Sequence, residues 1–407
     1  MKSDSDIRHQ RDFIRRIIDR CGPRLPGSPE ERRAAGIISE EFRSIAGNVT
    51  VEEFTFAAKA CIGAIPGYGL GLMVAGLFFF RQPLATLILA SALFAFAVIQ
   101  IVLYKGWFDI FFPKSTSQNV HSVIDPPGGM KNVKATLVLS AHIDSSWHCT
   151  HFAEKSHLAR YKLGFAALSP LLLITLSIIR YLDADFRGVL PWSLWWTMLI
   201  VPFLYIGFYF LFRYLVYDRS VASPGAMDNL SGIAVVMNLA KYFRENTRRA
   251  PKNLRIVLAA FGAEEAGLRG SRAFIKRHRE GLLAGEPWVL NVDGVADRDD
   301  FICMEGEIWQ MVRYDRGYVD MVEGIMKGMG LRYHRWKLDA GGTDAAEFAK
   351  AGMRRAITLS AQNRTPRSNY HTRFDTLDRM DPEAMRLMNE LCRRVAVGIG
   401  ERAGGRL

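Results

Sequence analysis

Along most of the chain, short apolar runs alternate with segments whose apolar residues recur every three or four positions. "ATLVLSAH", "NLRIVLAAF", "WVLNVDG" and "RAITLSA" are nearly uninterrupted apolar stretches of strand length, and "NVTVEEFTF" alternates as a half-buried strand does. Between and around them, "ERRAAGIISEEFRSIA", "DNLSGIAVVMNLAKYFRE", "GSRAFIKRH", "YVDMVEGIMKGMG" and "PEAMRLMNELCRRVAVGIG" carry the helical period. Continuous apolar strands alternating with amphipathic helices predict an α/β fold, a mostly parallel, doubly wound sheet with helices on both faces. No internal repeat or low-complexity segment interrupts this pattern.

Two blocks break it. Residues 62–104 contain "IGAIPGYGLGLMVAGLFFF" and "LATLILASALFAFAVIQIVLY" around "RQP". Residues 163–216 contain "LGFAALSPLLLITLSII" and "VLPWSLWWTMLIVPFLYIGFYFLF" around "RYLDADFRG". Each half approaches the roughly 20 apolar residues that a bilayer crossing needs. A buried core helix would keep one polar face, whereas these are apolar all round with Trp and Tyr near their ends. They predict two transmembrane hairpins, four helices in all, inserted into one soluble domain made of 1–61, 105–162 and 217–407.

An even number of crossings leaves all three soluble segments on one side. Their membrane-proximal ends carry Lys59, Lys105, Lys114, Arg160, Lys162, Arg213 and Arg219, against Arg81, Arg180 and Arg187 in the opposite turns, partly offset by Asp183 and Asp185. The positive-inside rule then places the soluble part in the cytoplasm, with the chain in the inner membrane. The charged, amphipathic opening "MKSDSDIRHQRDFIRRIIDR" lacks the apolar core of a signal peptide, which predicts no cleavage for export.

Charge and cysteine content narrow the class. A formal net charge of +12 suits an anionic partner. No helix-turn-helix or aromatic and basic RNA-binding box accompanies it, so a lipid surface is favoured over nucleic acid. The five cysteines, Cys21, Cys61, Cys149, Cys303 and Cys392, are scattered without a CxxC pair. That fits a reducing compartment rather than a disulfide framework.

In open α/β sheets the working crevice lies beyond the carboxyl ends of the strands. There the sequence places His142 and Asp144 after "ATLVLSA", Glu264 and Glu265 after "LRIVLAAFGA", and Asp293 in "WVLNVDG". "SPGAMDNLSG" brings Asp228 to a helix start, and "SNYHTRFDT" brings His371 after the last strand. Carboxylates crowded at neutral pH hold either protons or cations, and two histidines among them favour divalent metal. One of the adjacent glutamates can then bind metal while its neighbour handles protons. Taken singly, each feature is weak: a His-x-Asp at a strand end is more often structural, and an adjacent glutamate pair is usually a solvated helix face.

As an ordered set, "GPRLPGSPEE", "SQNVHSVID", "LVLSAHIDS", "GAMDNLSGIA", "FGAEEAGLRGS", "LNVDGV" and "YHTRFDT" resemble the co-catalytic di-zinc aminopeptidases, the twenty-eighth metallopeptidase family. The resemblance spans essentially all the soluble sequence. It implies a zinc exopeptidase-like fold and two divalent metal ions, zinc by expectation. His142 and Asp293 would bind one ion, Glu265 and His371 the other, and Asp228 would bridge them. Glu264 would be the general base, and Asp144 would fix the His142 tautomer through a carboxylate–imidazole hydrogen bond. Three ligand carboxylates against two dications leave about +1 to activate a shared water. The implied substrate is a peptide or aminoacyl compound. Family members are mostly secreted, lumenal or periplasmic, and usually join the histidine to the bridging aspartate by a short loop. Here a hairpin stands between His142 and Asp228, which would fasten the crevice edge to the bilayer and favour apolar, membrane-held substrates.

Other features carry less. "WHCTH" (His148, Cys149, His151) matches no standard zinc spacing and reads as juxtamembrane packing or a pocket wall. "DAGGTDAAEF" offers Asp344 and Glu347, with Asp344 read as a pocket residue or, with Thr343, a helix cap. Tyr370 beside His371 could steady an oxyanion or simply pack, and "FRENTRRAPK" reads as a solvated surface. The leading reading is a membrane-anchored zinc aminopeptidase. A carboxypeptidase, an aminoacyl-conjugate amidohydrolase and a non-catalytic receptor or scaffold remain as alternatives. A transporter is disfavoured by the scarcity of ionisable residues within the apolar blocks.

Overall fold

The computed structural model describes residues 2–405 apart from 154–157, 186–192, 215–216, 248, 286 and 364–368. The chain opens with helices α1 (Lys2–Cys21) and α2 (Pro29–Ala46), then strand β1 (Thr50–Phe56) and two apolar helices, α3 (Ile65–Leu77) and α4 (Pro83–Phe96). Strands β2 (Ser115–Ile124), β3 (Ala135–His142) and β4 (Trp147–Cys149) lead to α5 (Thr150–Ala153), α6 (Ala159–Asp185), α7 (Ser193–Tyr214) and β5 (Tyr217–Ala222). Next come α8 (Gly232–Glu245), β6 (Leu254–Phe261), α9 (Arg269–His278), β7 (Trp288–Val295), β8 (Phe301–Glu307) and β9 (Val312–Arg313). The chain ends with α10 (Arg316–Gly328), β10 (Tyr333–Leu338), α11 (Asp344–Lys350), β11 (Ala356–Ala361) and α12 (Pro382–Ala403).

These elements form two compact units. The first comprises 1–58, 114–147 and 221–407 and holds a nine-stranded sheet in the order β1-β2-β6-β3-β7-β11-β8-β10, with β9 paired to β8. Its centre, β6-β3-β7-β11, is parallel throughout, and these are the near-uninterrupted apolar runs of the sequence. The flanks depart from the mostly parallel expectation. β1 pairs antiparallel with β2, β2 with β6, and β8 with β11. The reason is visible in β1, whose exposed and half-buried positions alternate as an edge strand with one wet face can afford. Helices α8 and α12 pack on the central strands together with α1 and α2, while α9 and α11 pack on each other against the sheet's other side. α2 starts at Ser28, whose hydroxyl accepts the Glu31 N–H, and stops at Gly47 in the left-handed region (φ 82°).

The second unit, 59–113 and 148–220, is helical. α3, α4, α6 and α7 pack around Leu72, Phe79, Ala90, Leu173, Leu204 and Phe208. Gly69 of α3 meets the α7 backbone: a Cβ there would lie 3.0 Å from the Phe212 nitrogen, so only glycine lets the helices approach this closely. Two described helices are long and apolar enough to cross a bilayer, Pro83–Val102 and Tyr161–Leu182. The other two of the expected four, Ile62–Leu77 and Met198–Arg213, are apolar but shorter. α3 ends where a turn through Arg81 and Gln82 leads into Pro83, the first residue of α4. The turn of the second hairpin, with Arg187, lies outside the described residues.

Candidate metal centre

The parallel register delivers the site. Ser140 of β3 pairs with Asn291 of β7, so two residues on the strands bring His142, the last residue of β3, level with Asp293 of β7. His142 itself pairs with Phe261 at the end of β6, just before the turn that holds Glu264 and Glu265. Asp228 comes from the loop ahead of α8, and His371 from the segment after β11.

These side chains converge as two overlapping groups, His142–Asp228–Asp293 and Asp228–Glu265–His371, with candidate ligand atoms within 4.8 Å of one another in each. Asp228 belongs to both. Its Oδ1 is 3.0 Å from His142 Nε2 and its Oδ2 is 3.1 Å from His371 Nε2. His142 Nε2 is 3.8 Å from Asp293 Oδ1, and His371 Nε2 is 2.9 Å from Glu265 Oε1. Donors around one ion at about 2.0–2.2 Å lie roughly 3 Å apart, so the spacing suits metal. Two buried oxygens, Asp228 Oδ2 and Glu265 Oε1, accept no hydrogen bond although an imidazole nitrogen stands beside each. Burying such lone pairs is costly unless a cation takes them. Glu264 belongs to neither group and is buried.

The electrostatics call for positive charge. Burial, with Glu265, Asp344 and Asp293 nearby, raises the Glu264 carboxyl well above its ordinary range despite His142. Burial likewise lifts Glu265, and holds Asp344 at about 7. Burial alone would lower the two imidazoles. Instead Glu264, Asp144, Asp228 and Asp293 push His142 up, and Glu265 with Asp228 holds His371 at about 10. The raised imidazoles report surplus negative charge, and the raised carboxyls report burial first. Divalent cations would supply the balance directly and leave the imidazoles neutral, as ligands must be.

Asp144 does more than the one job expected of it. The His142 Nδ1 hydrogen bond runs to the Asp144 main-chain carbonyl at 3.1 Å, while the nearest carboxylate oxygen stands 3.5 Å away. That carboxylate instead accepts the backbone N–H groups of Glu264 (3.1 Å) and Glu265 (3.0 Å), fixing the turn that presents both glutamates. The same turn contains Ala263 at φ 53°, a left-handed conformation costly for a residue with a Cβ. Glu31 holds it there: its Oε1 accepts the Ala263 N–H at 2.8 Å and its Oε2 that of Gly27 at 2.7 Å.

Besides Glu31, three supporting residues escaped the sequence reading. Arg24, fully buried, donates to the carbonyls of Ile143 (2.8 Å), Pro224 (2.8 Å) and Gly225 (2.9 Å), tying the His142 loop to the Asp228 loop. Asp375 accepts the N–H groups of Met227 (2.7 Å) and Asp228 (3.1 Å). Asn229 donates to Val292 O (2.8 Å) and accepts from Gly294 N–H (3.2 Å), joining the same loop to β7. Arg24 and Asp375 sit inside the quoted motifs "GPRLPGSPEE" and "YHTRFDT", which was the available signal.

The residues weighed earlier separate cleanly. Asp344 faces the cluster, buried, with neither oxygen hydrogen-bonded. Glu347 is turned away, held by Arg272 (2.9 Å) and Lys350 (2.7 Å). Thr343 occupies the α11 N-cap position but donates its hydroxyl to Glu307 instead, at 2.5 Å. The Tyr370 ring stacks on that of His371, centroids 3.8 Å apart. His148 and Cys149 lie on β4, which pairs with β5, and neither joins a ligand group among the described residues. The His151 side chain lies outside them. A cavity of about 210 Å³ lined by Met227, Asp297, Asn369, Asp375 and Arg379 borders the Asp228 loop. A second of about 270 Å³, lined by His9, Phe13 and Met237, contains none of the clustered residues.

Comparison with known proteins agrees with this geometry. Residues 217–396 match the model of peptidase family M28. Aminopeptidase YwaD of Bacillus subtilis is 26% identical over 187 residues, covering 43% of this chain and 38% of that protein, so the match spans well under half of the relative. The structure of a zinc aminopeptidase from Bacillus subtilis superposes with a TM-score of 0.55 at 15% identity, covering 97% of this chain and 95% of the other. A glutaminyl cyclase from an Acidobacteriales bacterium does so with a TM-score of 0.54 at 15% identity, covering 98% and 95%. At such identities the superpositions speak for the fold alone, and one architecture carries both names. The matched residues 217–396 hold Asp228, Glu264, Glu265, Asp293 and His371, so the likeness to peptidase family M28 runs through most of the cluster.

Proposed function

We propose that this chain is a membrane-anchored, zinc-dependent exopeptidase that removes amino-terminal residues from peptides. The observation that carries the reading is the pair of ligand groups sharing Asp228, with Glu264 buried beside them and belonging to neither. His142, Asp228 and Asp293 would hold one divalent ion, and Asp228, Glu265 and His371 the other. Bound there, the ions would supply Lewis acidity and bring the pKa of water towards neutrality. Glu264 takes the proton of the attacking water and returns it to the departing amine nitrogen. Its main chain is pinned by Asp144, so the carboxylate is aimed before substrate arrives. Arg24, Asp375 and Asn229 hold the Asp228 loop at a fixed distance from β7.

Anchoring in the inner membrane rests on α4 and α6 with their partners α3 and α7. Only 22% of the Pro83–Val102 window and 28% of the Tyr161–Leu182 window are buried, whereas a core helix of a soluble protein would be mostly buried. Hydroxyls in this unit turn inward to carbonyls, Thr86 to Ala75 (2.9 Å) and Tyr205 to Met73 (2.7 Å), as a lipid solvent demands. Four crossings with a cytoplasmic catalytic unit, and apolar substrates held at the membrane surface, complete the proposal.

The test is purified full-length protein assayed on peptides blocked at either end, with metal content measured before and after chelation. We expect two zinc equivalents at the site, turnover of peptides with a free amino terminus, and loss of both turnover and metal with chelator. Cleavage only of amino-blocked peptides would favour the carboxypeptidase or conjugate-hydrolase reading. Full metal occupancy without turnover of either set would favour the scaffold.

A further inference from the structure

A third cluster of ligand-type side chains lies on the outer edge of the catalytic unit. Thr50 of β1 pairs with His121 of β2, so Glu52, two residues along β1, projects from the same face of the hairpin as His121. The last turn of α9 brings His278 over that face. Ligand atoms of Glu52, His121 and His278 lie within 4.8 Å of one another. His278 Nε2 is 3.1 Å from Glu52 Oε1 and 3.0 Å from Oε2. The His121 ring meets that of His278 edge-on with centroids 4.9 Å apart, and Phe274, one turn earlier on α9, closes the apolar side at 5.3 Å from His121.

An ordinary His–Glu ion pair accounts for only part of this. It explains His278 and Glu52, but leaves His121 6% exposed with a buried Nδ1 that has no hydrogen-bond partner. Natural structures rarely bury a ring nitrogen without one, and a second imidazole beside an imidazolium and Arg277 would be a poor choice for a salt bridge. Two imidazoles and a carboxylate at this spacing form the three-ligand set that borderline divalent cations take, with water in the remaining position. Arg277 Nη1 also reaches Glu52 Oε2, at 3.2 Å. Its side chain is 51% exposed and can swing into solvent when a cation takes the carboxylate.

We infer that Glu52, His121 and His278 form a further divalent-metal site, taking Zn²⁺ or a similar imidazole-seeking cation, which clips α9 to the β1–β2 edge. The clip is structural in its consequence. α9 begins at Arg269, directly after the turn carrying Glu264 and Glu265, so fixing its far end limits how that turn can drift.

The experiment counts zinc in full-length protein by elemental analysis after equilibration with buffered Zn²⁺. Wild type should hold three equivalents per chain. His278→Gln and His121→Ala should each hold two, with peptide hydrolysis retained and a lowered thermal midpoint that added Zn²⁺ no longer raises. Asp228→Asn, which removes the shared ligand of the catalytic pair, should still bind one equivalent, and Asp228→Asn with His278→Gln none. This separates the two readings, because the clip is counted in a protein whose catalytic pair is gone. Zinc content unchanged by His278→Gln in either background would overturn the inference and leave a His–Glu ion pair. Should His121→Ala fail to fold, Glu52→Gln, with the same expected loss of one equivalent, replaces it.

Discussion

The two units of this protein hide opposite things. In the catalytic unit, carboxylates and imidazoles are buried: His142, Asp144, Asp228, Glu264, Glu265 and Asp344 are each at most 9% exposed. In the helical unit the exposed surface is apolar, with Ile88 60%, Leu168 56% and Leu199 68% exposed. A water-soluble domain places charge outside and buries it only where chemistry or a metal repays the desolvation. A lipid-solvated one can leave apolar groups on its surface and must turn its hydroxyls inward. On the proposed reading, each unit hides what its own solvent would reject, and each contrast can be tested by a single substitution.

The largest effect belongs to Glu264, the buried acid that the proposal leaves off both metals. Glu264→Gln keeps shape and hydrogen-bonding capacity but cannot carry a proton. Turnover should fall on the order of 10³-fold, about 4 kcal/mol of barrier, with two metal equivalents retained at the catalytic pair. Measuring kcat together with metal content makes the result decisive. Activity near wild type would remove Glu264 from the mechanism, and loss of metal would make it a ligand.

How much of this was written in the sequence differs between contacts. His142, Asp293 and Glu265 were legible because parallel strands end in register, so polar residues just beyond apolar runs must meet. Arg24, Glu31 and Asp375 were not, although their motifs were noticed, because a side chain bonding to a distant main-chain group leaves no periodic trace. Asp144 shows the same limit within two residues: its position was found, but its carboxylate reaches the Glu264–Glu265 amides, a partner 120 residues away. The parallel centre of the sheet followed from uninterrupted apolar runs, whereas the reversed β8 did not, since burial patterns carry no strand direction. Apolar content marked the four long helices of the second unit, yet among the described residues only two meet the length of a bilayer crossing.

The outward surface supplies the next test. Ile88→Arg places a charge where the proposal puts lipid, and should disfavour membrane insertion by roughly 3 kcal/mol, seen as loss of the membrane-integrated fraction after carbonate extraction. Ile308, 57% exposed in the catalytic unit, is the matched control. Ile308→Arg should change stability by less than about 0.5 kcal/mol. Equal tolerance at both positions would place both units in water and end the contrast.

The smallest effect lies inside the catalytic unit, at a buried acid away from the metal ligands. Glu307 accepts from the Thr343 hydroxyl at 2.5 Å, from its N–H at 3.0 Å, and from the Tyr314 hydroxyl. Burial nevertheless dominates those bonds and raises the carboxyl to about 7. The sign follows from linkage. Between the unfolded value near 4.5 and the folded value near 7, the folded state holds the proton more tightly, so stability falls as pH rises through this window and levels off above it. A carboxyl with a depressed folded pKa would do the reverse. Glu307→Gln should remove this contribution, on the order of 1–2 kcal/mol after solvent relaxation. Thermal midpoints of wild type and variant should diverge progressively from pH 5 to pH 8, the wild type losing ground. Parallel profiles would mean that its three donors, rather than burial, set the charge of Glu307. In that case burial of a carboxylate here would need no metal to explain it, and the inference from buried acids to bound cations would have to rest on the Asp228 cluster's geometry alone.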